Sequence, residues 1–432
     1  MIGAVLYALA PYHFAIDLLE RQAIGELSAY IWIPLILLSV VRLSKGEQAV
    51  AGLAVSYALL IMSHLPAALL FSMCLLPCLL IIKYYTSRQY LLSRTFLGIV
   101  IGIMLSAVYL LPAVLSQDYI SSYKWWGPYL HYDRWFFLDG SASPNPELMS
   151  RLFKVLIASS LAFIPAWVIA YRYHSTRHRP LLAALLFLIA AVWFMMLPGS
   201  RFVWELVPVL KKVQFPWRIF LIADFAVAAT VVLALQCLRG ATARYLALVP
   251  AAAAGLFLAA SAYISAGELS KQWEVLDDAY NQARIKYRID IGRGPAEYIP
   301  STAHLSRNTL LEALQSVDRV TVDPAAGEVR IAGWQARNIH LKVNLASGTD
   351  ILVKQFYYPG WQAMLRQHNT RLPLEAAGEA GLIQIKAPPG RYDINLQLEP
   401  LWQEVAGTLV SALGLLALIV LLASHIAAHR AC

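Results

Sequence analysis

Four charged residues lie close together near the start of this 432-residue chain: Asp17, Glu20, Arg21 and Glu26. Their spacing puts Asp17, Glu20 and Arg21 on one face of a helix. Carboxylates grouped this way suit a divalent cation or a general base acting on a hydroxyl acceptor. The same residues also make the solvated face of an interfacial helix, and spacing does not separate the two readings. His64 stands between two apolar runs in Ser63-His64-Leu65-Pro66, where an ionisable group is either functional or a cap for two helix ends. Residues 199–218 carry Arg201, Lys211, Lys212 and Arg218 against the single acid Glu205. Such a basic segment fits a lipid phosphate or the phosphate of a polyprenyl-linked sugar. The alternative is snorkelling beside an aromatic belt of Trp204, Phe215 and Trp217. Asp224 follows Arg218 by six residues, inside an apolar run, and reads as half of a structural pair or as the lining of a polar cavity.

The segment 116–150 adds Asp118, Tyr123, Trp125, Trp126, Asp133, Arg134, Trp135 and Asp139. Aromatic faces beside carboxylates suit sugar rings, and interfacial anchoring gives the same composition. No P-loop, dinucleotide-binding glycine motif, nucleophile elbow or zinc helix is present. A divalent cation on the outward carboxylates is the one cofactor candidate. His174 and His178 fall in a basic loop and read as solvated. Cys74, Cys78 and Cys237 lie in apolar runs and Cys432 is the last residue, a pattern of packing rather than of disulfides or metal.

The elements that position these residues must be membrane spans. The chain is 59% hydrophobic and 14% charged, against about 45–50% and 25% in soluble domains. Apolar runs occur near 29–41, 49–63, 65–82, 95–115, 152–171, 181–198, 219–237, 245–264 and 403–424, preceded by a half-length run at 2–10. The breaks alternate in charge. Arg42 and Lys45, Lys83 with Arg88 and Arg94, Arg172 with Arg177 and Arg179, Arg239 with Arg244, and Arg430 mark cytoplasmic segments. The segments 13–28, 116–150, 199–218 and 265–402 then face outward. The net charge of +9 therefore reports topology and not nucleic acid. Membrane lipids become the first expected partner, and about nine to ten spans are expected in a multi-pass membrane protein with a cytoplasmic C-terminus.

Three domains follow: a multi-span region at 1–264, an extracytoplasmic domain at 265–402, and a last span with a cytoplasmic tail at 403–432. Residues 265–315 read as helix and loop. Beyond about 316 the apolar period becomes two: Ile339, Leu341, Val343 and Leu345 alternate with polar residues, as do Tyr392, Ile394, Leu396 and Leu398. Turn signals at Pro324 to Gly327, Ser347-Gly348, Pro359-Gly360 and Pro388-Pro389-Gly390 divide six to eight short strands, the pattern of a small β-sandwich. Trp361 is either a sugar-stacking platform or a buried core aromatic.

A series of short motifs runs along most of the chain. Ala10-Pro11-Tyr12-His13 precedes Asp17-Leu18-Leu19-Glu20-Arg21 and Glu26. Ser63-His64-Leu65-Pro66, Leu110-Leu111-Pro112-Ala113, Gln214-Phe215-Pro216-Trp217-Arg218, Glu297-Tyr298-Ile299-Pro300 and Phe356-Tyr357-Tyr358-Pro359-Gly360-Trp361 follow. In order and spacing they resemble the bacterial integral membrane family labelled 6-pyruvoyl-tetrahydropterin synthase-related, with YfhO-like relatives. The resemblance implies kinship with the GT-C superfamily, whose members move a sugar from a polyprenyl-phosphate donor to an acceptor outside the membrane. It makes a lipid-linked sugar donor and an envelope glycan or protein acceptor the expected partners. In such enzymes an acid in the first outer loop serves as base or metal ligand. This chain departs there, because its first span reads as half length and the loop bearing that acid is missing. Asp17 and Glu20 therefore do not inherit the role by position, and the expectation is an incomplete copy or a chain lacking the usual base. Two functions follow. One is a GT-C-like glycosyltransferase in which Asp17, Glu20 or Glu26 activates the acceptor while Arg21, His64, Lys211, Lys212, Arg218 and Asp224 bind substrate. The other is a non-catalytic envelope protein that binds or helps to move lipid-linked glycans.

Overall fold

A computed structural model describes residues 2–86, 88–121, 130–139, 143–237, 241–276, 299–303, 318–367 and 370–430. Tyr123, Trp125, Trp126, Arg239, Glu297, Tyr298 and Cys432 lie outside the described residues, as does most of 277–317. Two compact units divide the chain. One comprises Met1–Leu110, Trp125–Asp278 and Val410–Cys432, the other Leu111–Lys124 and Ala279–Leu409. The sequence boundaries at 264 and 402 fall 14 and 7 residues before the unit boundaries at 278 and 409, and the described residues 111–121 group with the strands.

The first unit is a bundle of apolar helices. Among the described residues seven helices are long and apolar enough to cross a membrane, or nine if two bent pairs each count as one span. The first of them revises the sequence reading. The run at 2–10 does not stop short: Ile2–Ala8 continues into Pro11–Glu20, and the two together give a 19-residue span. Pro11 opens the second piece instead of ending the first, because proline lacks only an N–H that has no helical acceptor at that position. Ala10 before it is extended, as a residue preceding proline prefers. The second piece is wound as a π-helix that closes with Arg21 N–H to Ile16 C=O, 2.8 Å. His13 and Asp17, expected in an outward loop, are thus 2% and 0% exposed. The next span, Ile24–Ser44, likewise starts earlier than the apolar run at 29–41.

Pro216–Cys237 is the central element, 72% buried over its apolar window, whereas Trp402–Ser424 is 17% buried. Val50–Ser63, only 14 residues long, packs on Leu91–Leu105 through glycines: a Cβ on Gly98 would lie 2.6 Å from Leu53 Cδ2, and one on Gly102 2.8 Å from the Ala54 carbonyl oxygen.

In the second unit the strands are β1 Val320–Thr321, β2 Gly327–Gln335, β3 Asn338–Leu345, β4 Thr349–Phe356, β5 Trp361–Leu365, β6 Thr370–Leu372, β7 Leu374–Ala377, β8 Leu382–Ala387 and β9 Gly390–Leu398. They form two antiparallel sheets, ordered β1-β4-β8-β7 and β2-β3-β9-β5-β6. Each anticipated turn immediately precedes a strand. The alternating Ile339, Leu341, Val343, Leu345, Ile394 and Leu396 meet Ile351, Val353, Ile383 and Ile385 of the other sheet in one apolar core. Trp361 is buried in that core at 3% exposure, which excludes the sugar-platform reading.

Candidate functional site

The first bundle unit gathers most of the sequence candidates into one buried polar network. Asp17 projects from the last turns of Pro11–Glu20, Arg21 ends that helix, and Glu26 lies in Ile24–Ala29. Arg21 donates to Asp17, to Glu26 Oε2 at 3.1 Å and to the Tyr12 hydroxyl at 3.2 Å. Tyr12 donates to Glu26 Oε1 at 2.9 Å, and Tyr30 donates to Asp17. Arg218 arrives from the short turn Pro216–Ile219, with Nε 3.3 Å from Glu26 Oε2. Its Nη1 donates to the Val213 carbonyl at 2.6 Å, and its guanidinium lies 5.1 Å over the Phe215 ring.

Asp17 and Glu26 are 0% and 1% exposed, so the reading of a helix with solvated charges is overturned. Two carboxylates and two guanidiniums balance in number, which is how buried charge is tolerated. At Arg21, burial opposes the charge, yet Glu26, Tyr12 and Asp17 together hold its guanidinium above its ordinary pKa. Two of the three non-glycine residues with left-handed backbone among the described residues flank this network: Gln22, φ +52°, and Gln214, φ +69°. The turn at Gln22 is locked by Ala23 N–H to Asp17 C=O at 2.8 Å, and that at Gln214 by the Arg218 bond to Val213.

His64 separates Val50–Ser63 from Leu65–Thr86 and accepts from the Ala67 N–H through Nδ1 at 3.3 Å. That acceptor role places the ring proton on Nε2, so His64 caps the second helix as a neutral imidazole. Burial pushes its pKa down to about 4, with Glu26 opposing and Arg218 and Arg21 assisting.

Asp224 joins the first span to the central one. Its Oδ2 accepts the backbone N–H groups of Tyr12 at 3.2 Å and His13 at 3.1 Å, two donors that the start of Pro11–Glu20 leaves without helical partners. The His13 ring stacks on Tyr30, 3.7 Å between centroids, and its Nδ1 donates to Tyr7 C=O at 2.9 Å. Asp224 therefore caps a neighbouring helix through backbone amides instead of pairing with a base from it, the His13 Nε2 lying 3.8 Å away.

The remaining candidates go elsewhere. Glu20 turns from its helix neighbours to Arg151 on Pro146–Tyr173, so the shared face expected for Asp17, Glu20 and Arg21 does not make one cluster. The basic segment also divides: Lys211 pairs with Glu205, which accepts from Tyr132 as well, while half-buried Lys212 sits beside it in the turn Pro208–Val213. Arg201 pairs with Asp139. Trp204, Trp217 and Trp135 are buried and form ring contacts, Tyr132 stacking on Trp204 at 5.1 Å and Trp135 meeting Trp217 edge-on at 4.5 Å. The belt expected at an interface is therefore an internal aromatic core. His174 and His178 are half-buried with rings 4.0 Å apart.

Tyr30 and Arg151 complete these networks without having been singled out in the sequence, and Tyr12 stood there only within the motif Ala10-Pro11-Tyr12-His13. The signal available was local: a tyrosine in an apolar span requires a partner for its hydroxyl, and Arg151 is a base near the start of a span. A divalent cation fits poorly, because the oxygens of Asp17 and Glu26 already face guanidinium and phenol donors. Among the described residues no group of three or more His, Cys, Asp or Glu could hold a metal ion. No family model, curated protein or solved structure matches this chain.

Proposed function

We propose that this protein is a GT-C-like inner-membrane protein that binds or helps to move polyprenyl-phosphate-linked glycans without transferring the sugar itself. The observation that supports this over transfer is the closure of the carboxylates. Asp17 and Glu26 are each held by an arginine and a tyrosine hydroxyl and are shut off from solvent, whereas a general base needs reach to the proton it abstracts. The motif series resembling the pterin-synthase-related family supplies the GT-C kinship. Its members Ala10 to Glu26, Ser63 to Pro66 and Gln214 to Arg218 are the segments that converge on the network. The distribution of Lys and Arg supports an extracytoplasmic second unit, there a β-sandwich that docks glycan or protein. Membrane lipids, a lipid-linked sugar and an envelope acceptor are the partners of this reading.

The test uses the full chain in nanodiscs with a radiolabelled polyprenyl-phosphate sugar and isolated envelope glycan. Retention of the lipid-linked sugar with no label in the acceptor is the expected result. Transfer that disappears in both Asp17→Asn and Glu26→Gln, with folding intact, would replace this reading by the glycosyltransferase one.

A further inference from the structure

A second feature of the bundle lies apart from the polar network. A cavity of about 540 Å³ opens among five helices of the first unit: Ile2–Ala8, Trp32–Ser44, Leu65–Thr86, Arg179–Met195 and Phe220–Cys237. Small residues line it, namely Ala4, Ala184, Ala228 and Ala229. Its polar lining is slight: the Tyr7 hydroxyl is already spent on the Tyr30 carbonyl at 2.8 Å, and Gln236 lies near the mouth. Water has too few partners to settle there, and an empty void of this size forfeits the dispersion contacts of its whole lining.

The direction of the cavity identifies its occupant. Along Trp32–Ser44 the lining runs from Pro34 to Val41, a depth of about 10 Å at the helical rise, and along Arg179–Met195 it runs from Leu188 back to Leu181. One end therefore lies beside Arg42, one residue beyond Val41, and Arg179, two residues before Leu181. Leu65–Thr86 contributes Ile82, next to Lys83. All three basic side chains are exposed, and the Arg88 guanidinium packs near Gly46 at the same helix ends. The acid close by is Glu47, 3.7 Å from Arg42.

We propose that this cavity holds an acyl chain of an anionic bilayer phospholipid, whose phosphate rests against Arg42, Lys83 and Arg179. An apolar slot between spans with a cationic mouth complements that lipid in both parts. The chain lies between the first span and the central one, both of which line the cavity. The site stands independently of the glycan reading, because none of its residues belongs to the network of Asp17, Arg21, Glu26 and Arg218.

The experiment is native mass spectrometry of the full-length protein in mild detergent, with thermal melting in the presence of phosphatidylglycerol or phosphatidylcholine. Wild type should retain one anionic phospholipid and melt higher with phosphatidylglycerol than with phosphatidylcholine. Ala229→Phe, which fills the cavity, should lose retained lipid by about tenfold, the equivalent of roughly 1.4 kcal/mol, and lose the melting response. Ala184→Leu repeats the test should the larger side chain prevent folding. The triple change Arg42→Gln, Lys83→Gln and Arg179→Gln should keep a lipid but lose the preference for the anionic one. Equal retention by wild type and both filled variants, no headgroup preference in wild type, or retention of polyprenyl phosphate in place of phospholipid would each overturn the assignment.

Discussion

Removing Arg21 while keeping its volume, as in Arg21→Met, isolates the physics of the buried network. The guanidinium contacts Asp17, Glu26 and Tyr12 at once, and its side chain is 16% exposed against 0% and 1% for the two acids. Without it, Asp17 keeps the Tyr30 hydroxyl and the more distant Arg218 charge, and Glu26 keeps Tyr12 and Arg218. Breaking a buried pair by deleting one partner costs about 3–5 kcal/mol, because a charge is left in a low-dielectric interior. Adding Asp17→Asn removes the stranded charge, so the double variant should be more stable than Arg21→Met alone. The coupling between the two sites should exceed about 1 kcal/mol. Reversible unfolding in one detergent, followed by helicity and tryptophan fluorescence, measures all four members of the cycle. Losses that add to within about 0.5 kcal/mol would refute the network as an energetic unit.

Asp224→Ala leaves the Tyr12 and His13 amides without their acceptor and should cost roughly 2–6 kcal/mol, at 1–3 per stranded group, whereas Asp224→Asn keeps an acceptor oxygen and should cost less; equal unfolding losses would argue against the cap. His64 predicts a pH dependence: its folded pKa lies below the unfolded value of 6.5, so the unfolded chain binds the extra proton between about pH 4 and 6.5. Its contribution is then complete above pH 6.5 and declines as pH falls towards 4, and the His64→Gln protein should lack that slope in a melting series. Gly102→Leu should cost at least about 1–3 kcal/mol through overpacking against Ala54 and Tyr57, and Gly414→Leu should strain the last helix where it meets Met104 and Leu105; both are read from melting temperature.

What composition and period decide is coarse and was legible along the chain. Spans follow from runs of apolar residues long enough to cover hydrocarbon, and strands from alternation at Ile339 to Leu345 and Tyr392 to Leu398, because both patterns are local consequences of which face a residue buries. Turn residues at Pro359-Gly360 and Pro388-Pro389-Gly390 gave strand starts for the same reason. Partner choice was not legible. Glu20 and Arg21 are adjacent, yet one reaches Arg151 and the other Asp17 and Glu26; Lys211 and Arg218 share a basic segment, yet one takes Glu205 and the other Glu26. Proximity in sequence says little about which opposite charge a helix crossing will bring within 4 Å. The run at 2–10 read as half a span, and it is the Asp224 carboxylate of a span more than two hundred residues away, accepting the Tyr12 and His13 amides, that caps Pro11–Glu20 as its continuation. The sequence thus determined that acids and bases stand near this end of the chain. The tertiary structure decided that they neutralise one another, since a buried charge is stable only where another element delivers its partner.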